Sequence, residues 1–171
     1  IPYQLRAVID FDRYETTLLA PVLHFDWGRK AVYDSLCSLC KEMGVSRRDI
    51  KRAMEAAEAA QERFDNRCQE RGKEVLQNLT DSPMGMVILS RPYNGCDPGV
   101  NLDLPRKLRD LGVMPIPTDF LPLFEIEGYE EWDNMYWKYG QRITRAAEIV
   151  RRNPHLHAVY ITNFGCGPDS F

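Results

Sequence analysis

The 171-residue chain lacks several features that would indicate a class of function. No apolar run approaches the roughly 18–20 residues that span a bilayer, and the first residues do not have the basic-then-apolar pattern of a signal peptide. The net charge is −3 at pH 7, so the overall charge does not suggest nucleic-acid binding. We therefore expect a cytoplasmic protein whose partners include neither a membrane nor a nucleic acid.

Common ligand motifs are also missing. Gly95 and Gly99 match neither a dinucleotide-binding nor a Walker A glycine pattern, and His24, His155 and His157 do not form a metal-spaced set. The five cysteines are an odd number without a disulfide spacing. This favours a reducing compartment, in which cysteines are buried fillers, ligands or catalysts.

The first half of the chain has a mainly helical pattern. Residues 2–10 alternate weakly between apolar and polar side chains and suggest a strand, whereas 29–43 have the spacing of an amphipathic helix. A second helix is expected to begin after Ser46, which opens a variant of the capping box, and to continue through strong helix formers to about residue 79. We therefore predict a mainly helical segment over residues 1–80.

After the Thr-Asp-Ser-Pro stretch that ends at residue 83, strands and helices alternate. Strands are predicted over 85–90, 113–116 and 156–162, and helices over 103–111 and 134–152. Such alternation predicts right-handed crossovers and a parallel sheet. The expected fold class is α/β, with a Rossmann-like parallel sheet flanked by helices. The predicted second domain covers 81–171, and we expect it to be incomplete at its C-terminus.

Two loops leave predicted strands at the edge where parallel sheets bind ligands. Residues 91–101 and 163–171 are both dense in Gly, Pro and Asn, and each contains a cysteine. If the strand order is 113–116, 85–90, 156–162, Cys96 and Cys166 flank one crevice. They are the candidate metal ligands.

The residues around Cys166 suit a thiolate. Flanking glycines let backbone N–H groups turn toward the sulfur and stabilise its charge. The candidate cofactor-binding residues of the two loops are Asn94, Asn163, Gly165 and Gly167. A tight turn that merely contains a small residue stays open as an alternative on residue types alone.

The other cysteines lie in predicted helices. Cys37 and Cys40 have CxxC spacing, but they fall in the middle of a helical pattern and so lack the helix N-terminus that lowers a thiol pKa in redox motifs. Cys68 lies on the apolar stripe of its helix. We predict that all three are buried fillers.

Aromatic and basic residues of the last predicted helices permit two interpretations. Trp132, Tyr136 and Tyr139 are predicted to pack in the core, with a lid over the crevice as the alternative. Arginines such as Arg109 and Arg142 are predicted to lie on solvated helix faces, with contact to a CoA phosphate as the alternative.

These segments together resemble the large activase-related proteins of the 2-hydroxyacyl-CoA dehydratase and benzoyl-CoA reductase group. The segments that carry the resemblance are RPYN (91–94), DPGVN (97–101), PRKL (105–108), DFLP (119–122), MYW (135–137), GQ (140–141) and TNFGCGPDSF (162–171). The resemblance is close over residues 84–171 and general over 1–80. Proteins of this group join an ATPase region to a region similar to the dehydratase subunits.

The resemblance implies a redox role. In this group ATP hydrolysis drives an electron from a [4Fe-4S] cluster to an acyl-CoA dehydratase or reductase, and the dehydratase-like folds hold a cluster on loops at the sheet edge. It implies that Cys166, and less strongly Cys96, ligates a cluster. ATP would bind to sequence outside this chain, in the same or a partner chain.

Three functions remain open on the sequence. Two cysteines cannot complete a four-thiolate cluster, so further ligands must come from elsewhere, and no complete active site is visible. The leading hypothesis is an iron–sulfur electron-transfer module. The alternatives are a non-redox module that binds a CoA ester or a nucleotide, and a scaffold that docks the ATPase to its client.

Overall fold

The computed structural model describes residues 2–41, 43–79, 84–123, 125, 135–162 and 167. The chain divides into two compact units, residues 1–62 and 63–171, which are described separately. None of the helices in the described part of the chain combines the length and the apolarity that a membrane crossing requires.

The first unit is built from helices. They are α1 (Pro2–Val8), α2 (Arg29–Cys40) and the first part of α3 (Arg47–Asn78), and a 3₁₀ turn (Phe25–Trp27) precedes α2. The strand suggested over residues 2–10 is therefore wrong. Proline in the first turn is compatible with a helix, and the Leu-Arg-Ala that follows consists of good helix formers.

The connection between α2 and α3 follows the predicted capping chemistry. Gly44 adopts φ +69°, a conformation that L side chains adopt only with strain. The Ser46 hydroxyl accepts a hydrogen bond from the Asp49 backbone N–H at 3.1 Å, which satisfies a free donor at the helix start. The capping box and the start of α3 are therefore confirmed.

The second unit contains the sheet. Besides the rest of α3, its elements are β1 (Gly85–Ser90), α4 (Pro92–Cys96), α5 (Leu104–Asp110), β2 (Met114–Pro117), a 3₁₀ turn (Thr118–Phe120), α6 (Lys138–Arg152) and β3 (Leu156–Ile161). All three predicted strands form. The predicted 91–101 loop differs, since its first part is the short helix α4.

The sheet has the order β2-β1-β3. Both pairings are parallel, and Val87 of β1 lies opposite Ile116 of β2 and Ala158 of β3. The central position of β1 explains its unbroken apolar sequence, because both faces of such a strand are covered. The α/β fold class, the strand order and the parallel pairing are confirmed.

The core lies on one face of the sheet, between the strands and helices α3 and α6. Its buried members are Leu79, Val87, Leu89, Ile116, Leu121, Leu123, Ala146 and Leu156. The apolar spacing of Ile143, Ala147 and Val150 predicts that α6 buries Ala147, but Ala146 is fully buried and Ala147 is exposed. The helix is thus rotated by about one residue from the predicted orientation.

Two further burial predictions are wrong. Tyr136 is 88% exposed, and it lies before α6, which begins only at Lys138. The sequence Leu-His-Ala-Val-Tyr-Ile-Thr over 156–162 predicts a buried strand, yet only Leu156 is buried in β3 and His157, Ala158 and Tyr160 are exposed. The physical reason is that β3 is at one end of the strand order and therefore lacks a neighbour on one side within the described residues.

Candidate functional site

A crevice opens beyond the carboxyl ends of β1 and β2. Its volume is about 440 Å³, and it is bounded by α4, α5, α6 and the 3₁₀ turn after β2. The crevice predicted from the sequence, flanked by Cys96 and Cys166, would instead lie between β1 and β3. A site there would include the loop after β3, most of which lies outside the described residues.

One part of the crevice wall is apolar and rich in proline. The apolar lining side chains are Ile88, Pro92, Pro105, Pro115, Pro117 and Phe120. Proline has a fixed φ and no backbone N–H. This wall is therefore stiff and offers few backbone donors to a ligand.

The remaining wall is polar and carries one net positive charge. The polar lining residues are Ser90, Cys96, Arg109, Thr118, Asp119, Tyr139 and Arg142. Two arginines and one aspartate give a formal charge of 2 − 1 = +1. The Thr118 hydroxyl is already used, since it donates to the Ile88 carbonyl at 2.7 Å.

Asp119 and Arg142 form an ion pair across the crevice lining. Nη2 of Arg142 donates to Oδ1 of Asp119, and the two side chains are only 29% and 36% exposed. The prediction that Arg142 lies on a solvated helix face is therefore wrong. Arg109, on α5, is exposed and also lines the crevice.

Cys96 is the last residue of α4, and its side chain is exposed at the crevice. The loop that follows is fixed by its own side chains. Oδ1 of Asp97 accepts from the Gly99 and Val100 backbone N–H groups at 2.8 and 3.0 Å. Nδ2 of Asn101 donates to the Gly95 carbonyl at 2.8 Å. The thiol is therefore held at the carboxyl edge of the sheet by an ordered local structure.

Asn94, two residues earlier in α4, is fully buried. Among the residues that the structure describes, neither its side-chain oxygen nor its nitrogen has a hydrogen-bond partner. Buried amides are normally paired, so an unpaired one calls for a specific explanation such as a water or a ligand. The backbone is also close here, because a Cβ on Gly95 would approach Oγ of Ser90 to 2.2 Å.

The loop after β3 lies largely outside the described residues. Cys166, Asn163 and Gly165 are among the undescribed positions, and Gly167 is described only as exposed. The predicted pairing of Cys96 with Cys166 therefore stays a prediction. Within the described ranges, no group of three or more His, Cys, Asp and Glu residues could hold a metal ion.

The three helix cysteines are half-buried, so they are more accessible than the buried fillers that the sequence predicts. Burial, reinforced by Asp119 and Asp65, raises the pKa of the Cys68 thiol above its ordinary value. A protonated thiol is a poor nucleophile and a poor metal ligand. Cys68 lies beside a smaller cavity of about 150 Å³, which Asp119 and Arg142 also line.

Sequence reasoning missed the ion pair, whereas Tyr139 lines the crevice and so agrees with the alternative to core packing given for it above. The DFLP segment contains Asp119, but its partner Arg142 is 23 positions away. No local motif links them. Only the topology of β2 and α6 brings them together.

The fold and the crevice define an α/β domain with a concave, ligand-sized site at the carboxyl edge of a parallel sheet. Residues 1–121 match the model of the family described as CoA enzyme activase uncharacterised domain (DUF2229). The chain belongs to this family, which confirms the activase-related resemblance. No curated protein and no solved structure matches the chain.

Proposed function

We propose that the chain is the iron–sulfur electron-transfer module, dehydratase-like in character, of a cytoplasmic ATP-dependent activator of CoA-ester dehydratases. Membership of a CoA enzyme activase family supports a CoA enzyme as the partner. The observation that carries the cluster proposal is the exposed Cys96 thiol at a crevice on the ligand edge of the sheet. ATP binding and hydrolysis are assigned to a region outside this sequence.

The chain offers some, but not all, of the ligand atoms that an iron–sulfur cluster needs. Cys96 offers an accessible sulfur, which a thiolate ligand requires. We assign the second thiolate to Cys166 between its two glycines, and further ligands to other sequence or a second subunit, because a [4Fe-4S] cluster needs four. When bound, the cluster would supply one-electron transfer.

The polar residues of the two loops complete the proposed site. Within the described part of the chain, the Asn94 amide has an unused donor and an unused acceptor, two residues before Cys96 in α4. A buried donor of this kind stabilises negative charge on a nearby ligand group. Asn163, Gly165 and Gly167 are assigned the same supporting role on the second loop.

The test is anaerobic reconstitution, with iron and sulfide, of the full-length protein that contains this sequence, together with any subunit that supplies the remaining ligands. Cys166→Ala and Cys96→Ala should lose bound iron with little change in thermal stability. Cys40→Ala is the matched control and should keep its iron, because Cys40 is a half-buried residue of α2. Full iron content in Cys166→Ala would exclude the cluster proposal for that loop.

A second measurement addresses the fold. Protein purified in air should carry no intact cluster and should still be folded, since the core is made of strands and helices. Unfolding by a chelator would indicate a structural metal and contradict this assignment of the cysteines.

The second candidate is a non-redox module that binds a CoA ester or a nucleotide, with the cysteines incidental. The apolar wall beside Arg109 and Arg142 favours it, because ligand sites combine apolar surface with a few placed polar groups. A visible absorbance band that dithionite bleaches supports the cluster proposal. Absence of bound iron after reconstitution supports the second candidate or a scaffold.

A further inference from the structure

We propose that the crevice beyond β1 and β2 binds a small molecule with an apolar body and a single anionic end, a carboxylate or a phosphate. The body would lie against the proline-rich wall and the anion would face Arg109. This inference goes beyond the cluster proposal and does not depend on it, since it uses residues that hold no metal.

The charge of the lining selects an anion. Arg142 is neutralised by Asp119, whereas Arg109 has no ion pair or hydrogen bond with any residue that the structure describes. Arginine binds carboxylate and phosphate through two parallel N–H donors. One unneutralised guanidinium at the crevice therefore favours a ligand with one anionic group.

The apolar residues of the lining favour a ligand with an apolar body. Pro92, Pro105, Pro115 and Pro117 surround the crevice together with Ile88 and Phe120. Of the hydroxyls, that of Thr118 is already bonded to the backbone. The hydroxyls of a sugar placed against this proline-rich wall would be unpaired on that side, which is costly, whereas an alkyl or aryl body would have no polar groups to pair there.

The volume limits the size of the ligand. A cavity of about 440 Å³ lies at the lower end of the range typical of small-molecule sites. It accommodates an acyl or aryl group with its anionic end, and it is open enough for a longer tail to extend into solvent.

Cys96 provides a local reporter, because its exposed thiol lies in the same lining. We would treat the chain with a chelator, alkylate it with iodoacetamide, and follow Cys96 by peptide mass spectrometry. The probes are hexanoate, hexyl phosphate, 1-hexanol and hexylamine, which share one body and differ in charge. Cys37 on α2 serves as the internal reference.

The anionic probes should slow the alkylation of Cys96 at concentrations at least tenfold lower than 1-hexanol or hexylamine, and Cys37 should be unaffected. Protection by only one of the two anions identifies the anionic end as carboxylate or phosphate and supports the proposal. Equal protection by 1-hexanol or hexylamine, or no protection by either anion, overturns it.

Charge variants should shift the half-protecting concentration in opposite directions. Arg109→Gln should raise it about tenfold, the loss expected for one charge-assisted contact. Asp119→Asn should lower it several-fold, because it frees Arg142. Arg106→Gln on the same helix, at a position outside the crevice lining, should leave it unchanged.

Two further controls separate misfolding and the cluster proposal from this inference. Arg109→Lys keeps the charge but loses the two parallel donors, so its loss of affinity should be smaller than that of Arg109→Gln. Equal losses in both Arg109 variants, like an unchanged value in Arg109→Gln, overturn the inference. Cys96→Ala should still bind hexanoate in ligand-observed NMR even if it loses iron. Loss of iron with retained hexanoate binding in Cys96→Ala supports both proposals. Retained iron in this variant contradicts the cluster proposal alone, and failure of the unaltered chain to bind hexanoate contradicts this inference alone.

Discussion

The two compact units of the chain are stabilised in different ways. Residues 1–62 bury only Val32 and Ile50 among the described hydrophobic side chains, and they expose Tyr3, Val8 and Trp27. Residues 63–171 contain the eight-residue core around the sheet. The first unit depends on strong helix formers, capping and surface ion pairs, and the second depends on burial.

Helical propensity stabilises a folded unit less than the burial of apolar side chains does. Short helices are marginal in water, and most of their stability in proteins comes from packing of an apolar face. Exposed ion pairs such as Arg29 with Glu58 at 2.7 Å add little, about 0–1 kcal/mol. We therefore expect backbone amides of the first unit to exchange with solvent hydrogen faster than those of β1.

The largest expected effect comes from removing the same side chain in each unit. Ile116→Ala removes a fully buried member of the core cluster and should lower the free energy of unfolding by about 2–5 kcal/mol. Ile50→Ala, also at a buried position but outside that cluster, should cost less, about 1–2 kcal/mol. Urea denaturation of both variants measures the difference. Equal losses would contradict the distinction between the units.

Substitution of one glycine in each unit tests the same difference between the units, with a smaller expected loss of stability. Gly72 lies within α3, where alanine normally favours a helix, but an added Cβ would come within 1.9 Å of the Phe120 carbonyl oxygen. Gly72→Ala should therefore destabilise the second unit by about 1–3 kcal/mol through overpacking.

Gly44 is the matched position in the first unit. It has open space around its Cα but a φ of +69°, so Gly44→Ala should cost about 1 kcal/mol through backbone strain alone. Thermal melts compare the two variants. If Gly72→Ala stabilises the chain, the close approach of α3 to Phe120 is not maintained in solution.

The difference between burial and local helical propensity explains which elements the sequence could predict and which it could not. Strand β1 and its parallel neighbours were predictable, because an apolar run between turn signals in an alternating βα pattern has few other solutions. The Pro-Tyr-Asn-Gly-Cys of α4 was predicted as loop because Asn and Gly are poor helix formers. There the close packing of Gly95 on Ser90 overrides propensity.

Side-chain placement was harder to predict than the elements themselves. In α6 both Ala146 and Ala147 fit an apolar stripe with Ile143 and Val150, because helical neighbours occur at three and at four positions. For the site, the position of Cys96 after β1 at the carboxyl edge of the sheet was predictable from the sequence, although Cys96 ends the short helix α4 and does not lie in a loop. The pair of Asp119 with Arg142 was not, because it depends on tertiary contact between distant segments.

Removal of the hydrogen bond between Thr118 and Ile88, two residues that line the crevice, should lower the stability by a smaller amount. Thr118→Val removes the hydroxyl that donates to the Ile88 carbonyl and should cost about 1 kcal/mol. Thr144→Val is the control, since that hydroxyl bonds only to carbonyls of its own helix and should cost less than half as much. Chemical denaturation measures both. A neutral Thr118→Val would mean that this bond does not tie the turn to β1.

The smallest expected effect is the pH dependence contributed by Cys68. Burial, with the carboxylates of Asp119 and Asp65, raises the pKa of this thiol in the folded chain above its ordinary value of 9.0. Because the folded state holds the proton more tightly, the stability that the protonated thiol contributes is fully present below pH 9.0 and is lost as the pH rises through the folded-state pKa. Thermal midpoints between pH 7 and 11 should therefore fall less steeply in Cys68→Ala than in the unaltered chain. Asp65→Asn removes one of the causes, so the pH at which Cys68 begins to react with iodoacetamide should decrease in that variant. An unchanged onset in Asp65→Asn, together with an unchanged slope in Cys68→Ala, would show that the Cys68 thiol is not desolvated at its position on α3. The difference in burial between the second unit and the first would then be smaller than described above.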